Sequence, residues 1–75
     1  MAELPRCVSG RDAIRVLERL GFVKTRQRGS HVVLKTMPEG DVGCVVPLHR
    51  ELATGTLRGI LKQAGVSLED FLNNL

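Results

Sequence analysis

Apolar residues in the first third of the chain recur at helical spacing. Ala13, Ile14, Leu17 and Leu20 form one stripe, with Arg11, Arg15, Glu18 and Arg19 on the other side. That is the i, i+1, i+4, i+7 signature of an amphipathic helix. Val16 falls off the stripe and reads as an edge position. Ser9 is a good N-cap, and Asp12 three residues later completes a capping-box-like start. Gly21 suits the C′ position that ends the helix. The spacing predicts a helix over about residues 10–20. Residues 1–8 read as an extended lead-in, because Pro5 disfavours helix at Leu4.

From Phe22 the pattern changes. A cationic run, Lys24-Thr25-Arg26-Gln27-Arg28, is separated from an apolar run, Val32-Val33-Leu34, by Gly29-Ser30-His31. A glycine followed by a small polar residue suits a two-residue hairpin loop with positive φ at its first position. With Gly29-Ser30 as the loop, a straight register pairs Arg28 with His31, Arg26 with Val33 and Lys24 with Lys35. Directly paired residues share a face. One face then carries Lys24, Arg26, Arg28, His31 and Lys35. The other carries Val23, Thr25, Gln27, Val32, Leu34 and Thr36. Phe22, just after a C-cap glycine, is expected to plug the core.

The second strand is predicted over about His31 to Thr36. Met37-Pro38-Glu39-Gly40-Asp41 is rich in turn formers and closes a second hairpin. Val42 to Val46 reads as a third strand, which Pro47 stops or places at an edge. A connection from Leu48 to Ala53 holds His49, Arg50 and Glu51. Leu57, Ile60, Leu61 and Ala64 form a second helical stripe ended by Gly65. Ser67 caps a short last helix with Leu68, Phe71 and Leu72 on its apolar side. The fold class is therefore α+β, an α-β-β-β-α two-layer sandwich. It combines a three-stranded antiparallel sheet, covered on one face by helices, with a short C-terminal helix. The Val23/Val32/Leu34 face is the one expected under the helices.

Seventy-five residues allow one small domain, residues 1–75. Such a domain buries only about 60% of its unfolded surface, so any active site should be shallow and take a large substrate. The net charge is +3 and the pI about 9.4, modest values whose distribution matters more. Between Glu18 and Glu39 no acidic residue occurs, while Arg19, Lys24, Arg26, Arg28 and Lys35 do. The two cysteines, Cys7 and Cys44, have no zinc-ligand spacing and suggest no disulfide framework. Cys44 reads as a buried thiol. Without a disulfide framework a cytoplasmic setting is the expectation; no run approaches a membrane span and no signal-peptide core is present.

The candidate chemistry lies at the hairpin tip. His31 is a titratable imidazole among permanent cations, a surface suited to a polyanion. An imidazole titrates ordinarily near pH ~6.5 and can act as base or acid. The plain alternatives are a solvated turn histidine and strand-edge cations that guard against aggregation. Arg58 and Lys62 read as a solvated helix face. The Thr54-Gly55-Thr56 helix start reads as a cap rather than a phosphate site. Without Trp or Tyr, base stacking gives way to phosphate-led contacts. Three classes remain open: a ribonuclease, a non-catalytic RNA-binding module of the same fold, and a domain whose basic face binds an acidic protein.

The α-β-β-β-α order is that of the double-stranded RNA-binding domain fold. The residues resemble something narrower. Leu20-Gly21-Phe22, Gly29-Ser30-His31, Val46-Pro47-Leu48-His49 and the run from Gly55 to Gly65 (GTLRGILKQAG) together resemble the HicA family of bacterial toxins, over roughly Ser9 to Leu72. The resemblance implies an mRNA interferase, a small ribonuclease silenced by a HicB antitoxin in a type II toxin–antitoxin pair. It implies that His31 is the catalytic residue. Lys24, Arg26, Arg28 and Lys35 then form a phosphate track, with Gly29 and Ser30 at the scissile group. His49 is a possible auxiliary group. No metal and no cofactor enter this scheme, and mRNA and the antitoxin are its partners.

Overall fold

Two reciprocal hydrogen bonds start the first helix. The Ser9 hydroxyl accepts from the Asp12 amide at 3.0 Å, and the Asp12 carboxylate accepts from the Ser9 amide at 3.2 Å. Together they form the capping box expected from the sequence. The structure is a computed structural model that describes residues 7–36 and 40–75. Its elements are α1 (Gly10–Arg19), β1 (Phe22–Arg28), β2 (His31–Thr36), β3 (Gly43–Pro47), α2 (Thr54–Ala64) and α3 (Leu68–Asn73). The strands form an antiparallel sheet in the order β1-β2-β3. Most of the lead-in, including Pro5, and Met37-Pro38-Glu39 of the second turn lie outside the described residues.

The α+β arrangement follows from the pattern of apolar positions. Val32, Leu34, Cys44 and Val46 alternate onto the inner face of the sheet. They share one core with Ala13, Ile14 and Leu17 of α1, Leu57, Ile60, Leu61 and Ala64 of α2, and Phe71 of α3. Gly65 ends α2 with a φ of +69°, and the Ser67 hydroxyl caps α3 by accepting from the Asp70 amide at 3.0 Å. Both agree with the expected punctuation.

The core is wider than the sequence stripe. Val16, expected at an edge, is fully buried, and so is Val8 of the lead-in. The segment before α1 lies along the connection after β3: Leu52 donates its amide to the Val8 carbonyl at 2.7 Å, and Gly10 donates to His49 at 2.9 Å. The third strand runs one residue later than the spacing predicts. Pro47 is its last residue, tolerated because β3 is an edge strand.

The main departure is in β1. The register follows the expected pairing from Arg28↔His31 to Arg26↔Val33, then shifts between Lys24 and Arg26. Beyond this bulge Lys24 lies opposite Leu34, Val23 opposite Lys35 and Phe22 opposite Thr36. The expected Lys24–Lys35 pair does not form. In a straight strand Phe22 would share the open face with Arg26 and Arg28. Burying a Phe side chain stabilises by about 1.5–3 kcal/mol, while one ladder hydrogen bond contributes about 0.5–1.5 kcal/mol net. Burial wins, and the extra residue Thr25 turns Phe22 inward, where it is 5% exposed. The same shift turns Val23 outward to 46% exposure, so Val23 is not under the helices as the straight register implied.

Candidate active site

The hairpin tip is held from both sides. Gly29 has a φ of +59° and no non-glycine residue has a positive φ among the described residues. Positive φ at the first loop position alone is the type II′ pattern of a Gly-X hairpin. The Gln27 side-chain amide donates to the Gly29 carbonyl at 3.0 Å. The Leu48 amide donates to the Ser30 carbonyl at 2.7 Å. The loop is thus braced by its own strand and by the segment leaving β3.

His31 opens the central strand, with Arg28 and Pro47 as its cross-strand neighbours. It lies on the open face of the sheet and is exposed. Arg28 stands directly opposite, with Cβ atoms of such pairs about 5 Å apart. Arg26 lies on the same face, diagonally one pair further along, at roughly 7–8 Å. Lys35 is four residues up the strand, roughly 13 Å away at 3.3 Å per residue. A phosphate at His31 is therefore within reach of Arg28, and Arg26 and Lys35 serve positions successively further out. Among the described residues none of these side chains is engaged in a hydrogen bond or ion pair. Between the cations the open face carries Val23 and Val45, both more than 40% exposed.

Lys24 departs from the expected constellation. The bulge places it on the helix side of the sheet, where it lines a groove with Arg11, Arg15 and Glu18 of α1. The open face therefore carries Arg26, Arg28, His31 and Lys35 without Lys24. His49 follows Leu48, whose amide bonds the tip, and lies two residues beyond the partner of His31. Its carbonyl accepts from Gly10 and its side chain is exposed. Sequence reasoning missed Gln27 as the brace of the loop and the arginines of α1 as neighbours of Lys24. The i, i+4 spacing of Arg11 and Arg15 on one helix face was the available signal for the latter.

Among the described residues no group of three His, Cys, Asp or Glu side chains comes together to hold a metal ion, and no helix is long and apolar enough to cross a membrane. Burial pushes the Cys44 thiol up to about 11. The exposed Cys7 is also raised, first by its hydrogen bond to Glu51 and then by the charge of that carboxylate. Neither thiol is poised as a nucleophile.

No curated protein matches the chain. A family model described as the HicA toxin of bacterial toxin–antitoxin systems matches residues 10–66, from the start of α1 past the end of α2. That span contains the hairpin tip, all three strands and the His49 connection, and the chain belongs to the HicA toxin family.

Proposed function

We propose that the chain is an endoribonuclease, an mRNA interferase acting as a single toxin domain over residues 1–75, with His31 as its general acid–base. The observation that carries this reading is the exposed His31 at a braced hairpin tip, opposite Arg28 and in line with Arg26. RNA brings its own nucleophile. His31 takes the proton of a 2′-hydroxyl, whose oxygen attacks the adjacent phosphorus. The bond from phosphorus to the 5′-oxygen breaks, leaving a 2′,3′-cyclic phosphate and a 5′-hydroxyl. The leaving oxygen takes its proton from the imidazolium, from water or from His49. Arg28 neutralises the non-bridging oxygens by charge-assisted hydrogen bonds. Gly29 allows close approach of the backbone, and the Ser30 hydroxyl positions a phosphate oxygen. Arg26 and then Lys35 hold phosphates further along the open face.

General acid–base catalysis by one group contributes about 10²–10⁴-fold, so the enzyme is expected to be slow. A slow nuclease suffices for a toxin, because a single cut inactivates a message. In this reading the antitoxin is HicB-like and silences the enzyme by covering the tip near His31, and both act in the cytoplasm where mRNA is found. The test is cleavage of an RNA oligonucleotide by the purified chain in excess EDTA, beside DNA of the same sequence. The expected result is cut RNA with 2′,3′-cyclic ends and intact DNA. Cleavage abolished by EDTA, or products with 5′-phosphates, would overturn the mechanism. Binding without cleavage would turn the reading to an RNA-binding module.

A further inference from the structure

The bulge at Thr25 creates a second cationic surface on the other side of β1. A groove of about 410 Å³ runs between α1 and β1. Arg11 and Arg15, one turn apart, project from α1, and Lys24 faces them from β1. Glu18 is the one acidic residue in its lining. We infer that this groove is a second binding site for RNA backbone, taking phosphates of the same strand that is presented to His31. The inference rests on the ribonuclease reading and extends it to the path of the substrate.

Two links make the groove continuous with the tip. Gln27 lines the groove and its side chain holds the Gly29 carbonyl. Leu48 lines the groove and its amide holds the Ser30 carbonyl. Only β1 separates the groove from the open face, and β1 is an edge strand. A single strand is less than ~5 Å wide in the hydrogen-bonding direction. An RNA strand bound at Arg28 and Arg26 can therefore turn over that edge and meet Lys24, Arg15 and Arg11. Arg15 has only an exposed 3.8 Å contact with Asp12, which leaves its guanidinium able to contact phosphate.

The lining favours nucleic acid over an acidic protein segment. The apolar floor, Ile14 and Val32, is already buried at 7% and 2% exposure, so beside charge the groove offers a peptide only the half-buried side chain of Leu48. The walls offer charge and no aromatic ring, which selects phosphates rather than bases. Contacts of this kind are independent of sequence and strongly dependent on salt.

The test measures binding of a single-stranded RNA oligonucleotide as a function of salt, in a His31→Ala background that leaves the RNA intact. The variant adds Arg11→Gln, Arg15→Gln and Lys24→Gln. Each phosphate contact on a single strand contributes about 0.7 to the slope of log K against log salt. Loss of three contacts makes the slope shallower by about 2, so the affinity lost between 50 and 200 mM salt shrinks by roughly 20-fold. Glu18→Gln, which removes the opposing charge, tightens binding at low salt. An unchanged slope in the triple variant together with no effect of Glu18→Gln overturns the inference. So does a triple variant that binds RNA normally but loses affinity for the antitoxin, which would make the groove a protein-docking site. Failure of the parental chain to cut RNA, with the slope change intact, would instead remove the ribonuclease reading and leave the groove as an RNA site.

Discussion

Replacing Gly10 by alanine should destabilise the fold, although alanine is the better helix former. Gly10 is the first residue of α1 and sits against the end of β3. A Cβ there would lie 2.1 Å from the Pro47 carbonyl oxygen and 3.0 Å from both the Pro47 carbonyl carbon and the Leu48 Cα. These are backbone atoms, and no side-chain rotation can relieve the clash. Relief requires α1 to withdraw, which stretches the 2.9 Å hydrogen bond from Gly10 to the His49 carbonyl. Overpacking costs about 1–3 kcal/mol, and a weakened hydrogen bond adds up to about 1 kcal/mol. The propensity gain of alanine, at most ~1 kcal/mol in a helix interior, offsets only part of this. The expected net loss is about 1–3 kcal/mol, a fall in melting temperature of roughly 5–20 °C for a domain this small. Gly59→Ala is the matched control. Gly59 lies inside α2, and a Cβ there meets nothing within 4 Å. It should gain about 0.5–1 kcal/mol. Urea denaturation of both variants, read at equal m-value, gives the comparison. A neutral or stabilising Gly10→Ala would refute the close approach of α1 to β3. Because Pro47 is the strand partner of His31, that contact also supports the candidate site.

Three further outcomes test the packing. Phe71 is completely buried, so Phe71→Ala should cost about 3–5 kcal/mol. Against a total of roughly 4–11 kcal/mol for 75 residues, circular dichroism should show a severely weakened or unfolded chain, and a native-like melt would mean that α3 is not part of the core. The Cys44 thiol, raised to about 11 by burial, should resist alkylation at pH 8 until the protein is unfolded, while the exposed Cys7 is labelled in the native protein, slowed only by the neighbouring Glu51. Labelling of both at the same rate in the native protein would contradict the burial. The sign of the linked pH effect also follows: the folded thiol ionises later than the unfolded one, so stability falls as pH rises from about 9 toward 11. Cys44→Ala should remove that part of the decline.

The elements were legible in the sequence because each carried its own local signal. Ser9 with Asp12, Gly65 and Ser67 mark helix ends, and Gly29-Ser30 marks the hairpin loop, without help from the rest of the chain. Local patterning does not show the bulge, although its signal is present in the sequence. Phe22 and Arg26 are four apart and would share a face in a straight strand, yet one belongs in the core and the other in solvent. Only an extra residue between them reconciles the two demands. A straight register, which ignores that conflict, puts Lys24 and Val23 on the wrong faces. The full burial of Val16, expected at an edge, and of Val8 departs from the sequence pattern for a different reason. Their burial depends on how α1 and the segment before it lie against later parts of the chain, which helical periodicity cannot supply. At the site, the positions of His31 and Arg28 followed from loop length alone. The bracing by Gln27 and Leu48 depends on side-chain reach and on the course of the chain after β3.

The most direct test of the central claim is RNA cleavage by His31→Ala beside the parental chain, in excess EDTA, with equal folding checked by circular dichroism. The parental chain is expected to cut and the variant to lose at least about 10²-fold in rate while still binding RNA. Equal cleavage by both would contradict that claim, and would place the chemistry somewhere other than the hairpin tip.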